Sequence, residues 1–467
     1  MTATNDGATP TVSRVYRALK GLAWIVVSVF YRRIDVTGDS AWRAPGRPTI
    51  VVANHTNALA DPVVILAKLP GHPRFLAAGS WWKFAPARYL FKLAGVVPVF
   101  RQRDGGTAAN SASFAACHEA LAEGATLAVF PEGELHHEPS IAPLKTGAAR
   151  IALGAAADAG VRDVALLPVG IVYEDRGRFR SQTAVQVGAP VPVDPWVERY
   201  RADPRATVRA LTQEVAGGLR AVTVNHESWD DLRLVDRAAT VALADDDTSE
   251  RRYARRNELR RGLGAALART GGRDDPAWAD LAARVATHQH EVDALGLDLN
   301  RALPTPHRLD RERRTLRAVL GVVAPAAAVG AVTNAPVAVA MKGVTVAVKD
   351  PAWQATAKGL AGVALCPIVW GTEAYLLRRH GRRAIFGVLV AAPLGGLAWI
   401  GWREGRARWR KVRAEETLLA TRGDDLRTAA ASRAAVRACV DRLIAAGRAP
   451  EPDAADATVQ PASASTT

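Results

Sequence analysis

From about residue 15 to residue 200, short and fully apolar stretches alternate with longer segments whose apolar residues recur at helical spacing. Residues 50–53 (Ile-Val-Val-Ala) predict a buried strand, because they are apolar and largely β-branched with no polar alternation. Residues 61–69 carry a helical pattern that Pro70-Gly71 closes. Residues 75–93 mix apolar and aromatic side chains, including Trp81-Trp82, with Lys83, Arg88 and Lys92; this predicts a helix with one face on the sheet or on lipid. A strand over 96–100 runs straight into Arg101-Gln-Arg103. An amphipathic helix over 108–122 stops at Gly124, and a buried strand follows over 126–130. Lys145-Thr-Gly147 opens a helix that runs to Ala157. Residues 164–173 predict a strand broken by Pro168, and 184–187 an edge strand. The fold class expected from this order is α/β, with a mixed sheet and helices on both sides.

Beyond the sheet region the pattern changes twice. Residues 207–317 are charged and helical with no strand signal, a connector after an α/β domain spanning 15–206. Residues 318–402 hold three apolar runs, at 318–341, 359–377 and 384–402, the last two separated by Arg378-Arg-His-Gly-Arg-Arg383. At about 20 residues per span they are barely long enough to cross a bilayer. Full spans, a membrane hairpin, a re-entrant arrangement and a buried helical core all stay open, and arginines at both ends of the last pair give no orientation. A basic helix is expected over 403–448. Residues 1–14 and the Pro/Ala/Ser/Thr tail 449–467 carry disorder-type composition. Arg14, Arg17 and Lys20 precede an apolar run over 22–31 that imitates a signal peptide. Arg32-Arg33 replaces a small-residue cleavage site, so the run reads as an interfacial helix.

Composition adds a partner class. The formal charge of +15 suits an anionic membrane surface or phosphate-bearing substrates. Nucleic acid is disfavoured, since no aromatic residues interleave with the basic ones and no binding module is visible. Cys117, Cys366 and Cys439 are too few and too far apart for a disulfide framework or a metal site, which fits a reducing interior. His136-His137 and His288-Gln-His290 read as surface histidines, because no further ligand spacing completes a site.

The candidate chemistry centres on Asn54-His55-Thr-Asn57-Ala-Leu-Ala-Asp61-Pro62, at the end of the 50–53 strand, where ligands bind in α/β sheets. A histidine oriented by a carboxylate can take a proton from an alcohol. Taken alone, the pair is equally well a loop histidine and a helix-capping aspartate. The order of this stretch with Gly95-Val-Val-Pro-Val-Phe-Arg101, Phe130-Pro-Glu132-Gly133 and Leu167-Pro168-Val-Gly170 resembles the glycerol-phosphate acyltransferase superfamily, which includes lysophosphatidate acyltransferases. The resemblance covers roughly residues 15–225, and Thr356-Ala-Lys-Gly-Leu-Ala-Gly362 in the tail looks like a bacterial branch of the group.

The resemblance implies transfer of a fatty acyl group from acyl-CoA or acyl-carrier protein to a glycerol-phosphate acceptor, glycerol-3-phosphate or its 1-acyl form. No metal and no cofactor beyond the thioester are implied. His55 and Asp61 take the catalytic roles. Asn54, Asn57, Arg101, Arg103, Glu132, Gly133 and Lys145 are the expected substrate contacts: the cations for phosphate, Glu132 for glycerol hydroxyls, Gly133 for close approach of the backbone. For Arg103 and Lys145 a solvated basic face is an equal alternative. The expected location is the cell membrane with the site facing the cytoplasm, where thioester donors are found. Two departures stand out. Five residues separate His55 from Asp61 where the family usually has four, and Glu134-Leu135-His136-His137 follows Phe-Pro-Glu-Gly where Thr-Arg is common. The second slightly favours another acceptor, such as a glycolipid or a lysophospholipid. A membrane scaffold without activity is the rival from outside the enzymes. His226-Glu-Ser-Trp-Asp-Asp231 has the usual spacing, but it follows the other motifs and reads as the exposed start of a helix.

Overall fold

The computed structural model describes residues 14–38, 47–79, 88–89, 91, 94–99, 108–244, 252–270 and 274–446. After helix α1 (Arg14–Phe30) come β1 (Arg33–Gly38), β2 (Thr49–Ala53), α2 (Ala60–Lys68), β3 (Arg74–Ala78) and β4 (Val97–Val99). Next are α3 (Ala108–Ala122), β5 (Thr126–Val129), α4 (Gly147–Ala157), β6 (Ala165–Tyr173), β7 (Gln182–Val187) and the short β8 (Val191–Pro192). The strands form one sheet in the order β1-β7-β6-β2-β5-β3-β4, with β8 also on β6; only β6 pairs antiparallel, with β7 and with β8.

Burial on both faces explains the apolar strands. In β2, Ile50 and Val52 face a cluster with Leu127, Leu166, Leu121 of α3 and Ile151 of α4. Val51 and Ala53 face the opposite cluster, with Leu167, Val169, Val64 and Ile65 of α2, and Val27 and Phe30 of α1. Helix α5 (Val197–Ala202) leads into α6 (Pro204–Val222), whose Leu211 and Val215 join the first cluster, so sheet packing continues past residue 206.

Three expectations about strands are corrected. Residues 75–78 are strand, not the start of a helix: β3 lies between β5 and β4, and Trp81-Trp82 lie outside the described residues. β7 is internal, because β1, from the far end of the domain, adds to it in parallel and becomes the edge. Pro168 does not break β6. It sits where the antiparallel partner changes from β8 to β7, and its carbonyl accepts from Gly188 N–H at 2.9 Å, so its missing donor costs no ladder bond.

Helices α7 (Trp229–Ala242), α8 (Arg252–Arg269) and α9 (Pro276–Ala294) build a separate core around Val235, Leu263, Trp278 and Val285. Its closing wall is α14 (Gly423–Ala446), which contributes Val436, Cys439, Val440 and Leu443. His288 is buried there and bonds Ser432 Oγ at 2.8 Å, so only His290 of that pair is at the surface.

Between these helices lie α10 (Pro306–Thr333), α11 (Ala335–Ala347), α12 (Pro351–Leu376) and α13 (Arg382–Thr421). Of these, α10, α12 and α13 are long and apolar enough to cross a membrane. Their outer faces present Val322, Ile368, Phe386 and Leu394 to the surroundings, which in water would be an unusually large apolar surface. α13 runs on without a break from the apolar stretch into the basic one, and the basic segment is split in two at Arg422. With no hydrophobic drive between helices in lipid, small residues and polar bonds hold such an assembly together. Asn334, buried at the end of α10, donates to Ala392 O of α13 at 2.9 Å and accepts from Trp370 Nε1 of α12 at 3.1 Å. Gly330 and Gly395 meet backbone to backbone: a Cβ on Gly330 would lie 1.8 Å from Gly395 O. Gly330→Leu is therefore expected to lower the stability of the detergent-solubilised protein by at least about 1–3 kcal/mol. Gly321→Leu, on the same helix with nothing within 4 Å of its Cβ, is expected to be neutral, and paired thermal melts read the difference.

Candidate active site

The polar loop after β2 folds around one carboxylate. Asp61 is fully buried in the first turn of α2, and the loop is bounded by the end of β2 and the start of α2. Its Oδ2 accepts from the backbone N–H of Thr56 at 2.8 Å and of Asn57 at 2.7 Å, and lies 3.0 Å from His55 Nδ1. Its Oδ1 accepts from the Tyr173 hydroxyl at 2.6 Å. Burial and the Asp61 charge hold the Tyr173 hydroxyl far above the ordinary phenol range, so it stays a donor. The His55 ring stacks on Phe130, 4.4 Å between centroids, and keeps its side chain one-fifth exposed (20%). Among the described residues no protein group bonds its Nε2.

Glu132 holds the other side of the loop. It is 1% exposed; Oε1 accepts from His55 N–H at 2.6 Å and Oε2 from Ala142 N–H at 2.8 Å, while His136 Nε2 also bonds Oε2. Glu132, expected to meet glycerol hydroxyls, is placed as a buried strut under the His55 backbone, with both oxygens accepting from protein groups. His136 is likewise turned inward rather than to the surface, and its spacing of four from Glu132 was the available signal. His137 remains exposed, near Arg176 Nη1 at 3.1 Å and Asp350 at 3.5 Å.

The two asparagines are also buried and bonded within the protein, although Asn57 Oδ1 has no partner. Asn54 is buried, donating to Ile171 O at 3.0 Å and accepting from Ile171 N–H at 2.7 Å, so its amide prolongs the β2–β6 ladder by one rung. Asn57 is fully buried and donates to Arg176 O at 3.2 Å, with the Tyr31 hydroxyl at 3.4 Å. Gly133 has φ +79°, a conformation that favours glycine; space is not the constraint, since a Cβ would meet only the Lys145 side chain, at ordinary contact distances of 3.5 and 3.7 Å. Lys145 donates its N–H to Pro131 O at 2.7 Å and lays its alkyl chain over Gly133, with the side chain exposed. Arg101 and Arg103 lie outside the described residues. Sequence reasoning missed Tyr173, Arg176 and Thr356. Arg176, whose charged form burial disfavours and Asp61, Tyr173 and Asp350 support, reaches Thr56 O at 3.4 Å.

His226 and Asp231 are buried, not exposed. His226 N–H donates to Pro139 O at 3.1 Å, and Ser228 caps α7 by accepting from Asp231 N–H at 3.1 Å. Burial and the nearby Arg260 push the His226 imidazole down to about 4 from 6.5. The folded state therefore binds fewer protons than the unfolded state between those values, and stability falls as pH drops through that window. His226→Asn is expected to reduce the loss of melting temperature between pH 6.5 and 4.

Among the described residues no three His, Cys, Asp or Glu side chains are placed to hold a metal ion.

Residues 33–172 match the family model described as Acyltransferase. Over 130 residues the chain is 35% identical to glycerol-3-phosphate O-acyltransferase 2 of Saccharomyces cerevisiae, covering 28% of this chain and 18% of that one. Over 169 residues it is 31% identical to 1-acyl-sn-glycerol-3-phosphate acyltransferase alpha of Ovis aries, covering 35% of this chain and 55% of that one. The chain thus spans well under two thirds of these relatives. The crystal structure of the 1-acyl-sn-glycerophosphate acyltransferase PlsC from Thermotoga maritima aligns with a TM-score of 0.32 and 22% identity, over 44% of this chain and 78% of that one. Residues 33–172, within the α/β unit, thus match an acyltransferase family model and are similar in sequence to parts of glycerol-3-phosphate and 1-acyl-sn-glycerol-3-phosphate acyltransferases.

Proposed function

We propose that this chain is an O-acyltransferase of phospholipid biosynthesis, moving a fatty acyl group from an acyl-CoA or acyl-carrier-protein thioester to a hydroxyl of glycerol-3-phosphate or its 1-acyl form. The observation that carries the reading is the His55–Asp61 pair: a partly exposed imidazole whose Nδ1 lies 3.0 Å from a buried carboxylate, with Nε2 left for a ligand. Asp61 accepts from Nδ1–H, fixes the tautomer and stabilises the imidazolium. Nε2 takes the proton of the acceptor hydroxyl as its oxygen attacks the thioester carbonyl. The tetrahedral intermediate then collapses, the C–S bond breaks, and the departing thiolate regains the proton from Nε2–H. The step needs no covalent acyl-enzyme, no metal and no cofactor beyond the thioester. Glu132 contributes through the His55 N–H rather than by touching substrate.

The net charge of +15 and three apolar helices support a protein held at an anionic membrane. With thioester donors in the cytoplasm, the site would face that side, and acyl-carrier protein is a candidate donor partner. The replacement of Thr-Arg by Glu134-Leu135-His136-His137 supports a second reading, transfer to a glycolipid or lysophospholipid. His136 is committed to Glu132 and supplies no cation for a phosphate.

In a labelled-thioester assay of the full chain, His55→Ala is expected to cut turnover by about 10²–10⁴-fold with membrane attachment retained, while His226→Ala stays active. Loss of activity in His226→Ala with an active His55→Ala would overturn the assignment. Arg101→Ala is expected to raise the KM of a phosphate-bearing acceptor far more than that of the donor, with only partial rescue by lysine, a point charge replacing a bidentate fork. Equal effects on both substrates count against a phosphate role.

A further inference from the structure

The loop that joins His55 to Asp61 is held from outside the α/β domain. α2 starts at Ala60 without a side-chain cap, so the amide of Leu59 is one of the donors that a helix start leaves without an intrahelical partner. That N–H donates to Thr356 Oγ1 at 3.0 Å, and Thr356 sits in the second turn of α12, 297 residues further along the chain. The contact is one of a set made by the same two turns of α12. Lys358 Nζ donates to Gly177 O at 2.6 Å, in the turn that carries Arg176. Asp350, the N-cap of α12, faces His137 at 3.5 Å. Ala355 is buried in the cluster of Val64 and Ile65 of α2, and Gly359 packs on Val26 of α1. Thr356 itself is buried, 7% exposed.

We propose that Thr356 is a positioning residue for the proposed acyl transfer: its hydroxyl, delivered by a helix apolar enough to span a membrane, fixes the His55–Asp61 loop in its working geometry. The inference rests on the reading of His55 and Asp61 as the base and its orienter. Thr356 touches no reacting atom. It acts by occupying the Leu59 amide at the point where the loop turns into α2, so that the Thr56 and Asn57 amides stay aimed at Asp61 Oδ2. A consequence is that a helix long and apolar enough to span a bilayer also holds the His55–Asp61 loop.

The test uses the full chain in detergent or lipid vesicles, with Thr356→Val, which keeps the shape and deletes the acceptor oxygen, and Thr356→Ser, which keeps the oxygen. Thr356→Val is expected to lower kcat by about 10- to 100-fold, the scale of a small misplacement of catalytic groups, with the KM of both substrates within about twofold of wild type. Thr356→Ser is expected to restore most of kcat. Wild-type kcat in Thr356→Val, or equal losses in both variants, overturns the proposal in favour of methyl packing. Hydrogen exchange over residues 56–66 is read in parallel: the Leu59 amide is expected to exchange faster in Thr356→Val and at the wild-type rate in Thr356→Ser. This second readout separates the two levels. A wild-type chain that transfers no acyl group sinks the acyltransferase reading, and unchanged exchange in Thr356→Val sinks the clamp whatever the activity.

Discussion

The geometry of the site depends on one buried carboxylate. A solvent-free Asp61 is costly unless its lone pairs are filled, and here two backbone amides, a tyrosine hydroxyl and the His55 imidazole fill them. Those donors come from two places, the β2–α2 loop and β6, so satisfying the charge also fixes how the loop sits on the sheet. Removing any one donor would leave a buried acceptor short by about 1–3 kcal/mol, which is enough to let the loop relax. The five-residue spacing between His55 and Asp61 fits this arrangement: the loop needs room to turn Thr56 and Asn57 amides onto the same oxygen that meets Nδ1.

The His55–Asp61 pair was legible because it lies within one strand–loop–helix unit, where spacing and strand-end position suffice. The roles of Asn54, Asn57 and Glu132 were not, because each is decided by a partner more than 70 residues away: Ile171, Arg176 and the His55 amide. All three polar types suit substrate binding by chemistry, and only the structure shows that Asn54, Glu132 and the Asn57 amide nitrogen are bonded within the protein, with Asn57 Oδ1 buried and unpaired. The helix expected at 75–78 failed for a related reason. A short apolar run has no periodicity to distinguish a buried strand from a buried helix, and here pairing with β5 and β4 decides. The internal position of β7 likewise depends on β1, about 150 residues upstream in the chain.

The apolar region was legible in outline, since length and hydropathy identify candidate spans directly. Its anchorage was not. Where α10 and α13 leave the apolar zone, Arg301 and Arg308 are packed against Glu312 and Glu415, with Arg308 Nη2 donating to Glu415 Oε2 at 2.7 Å. Burying such charges is favourable only when every partner is in place, so the cluster says more about fixing one arrangement of α10, α13 and the preceding loop than about net stability. Further into the apolar zone the same pair is held by the Gly330–Gly395 approach and by Asn334, which also binds α12 through Trp370.

These contacts change the meaning of the tail. The region from α10 to α13 is not a buoy on a string, because α12 reaches the His55–Asp61 loop through Thr356 and the Arg176 turn through Lys358. Beyond it, α14 returns to close the core built by α7, α8 and α9. The apolar helices and the His55–Asp61 loop are therefore parts of one packing problem. A chain cut before α10 would leave the Leu59 amide without its acceptor, the cluster of Val64 and Ile65 without Ala355 of α12, and the Trp278 core without α14. A polar loop held both by its own amides on Asp61 and by a hydrogen bond from α12 ties the placement of His55 to the packing of the apolar helices.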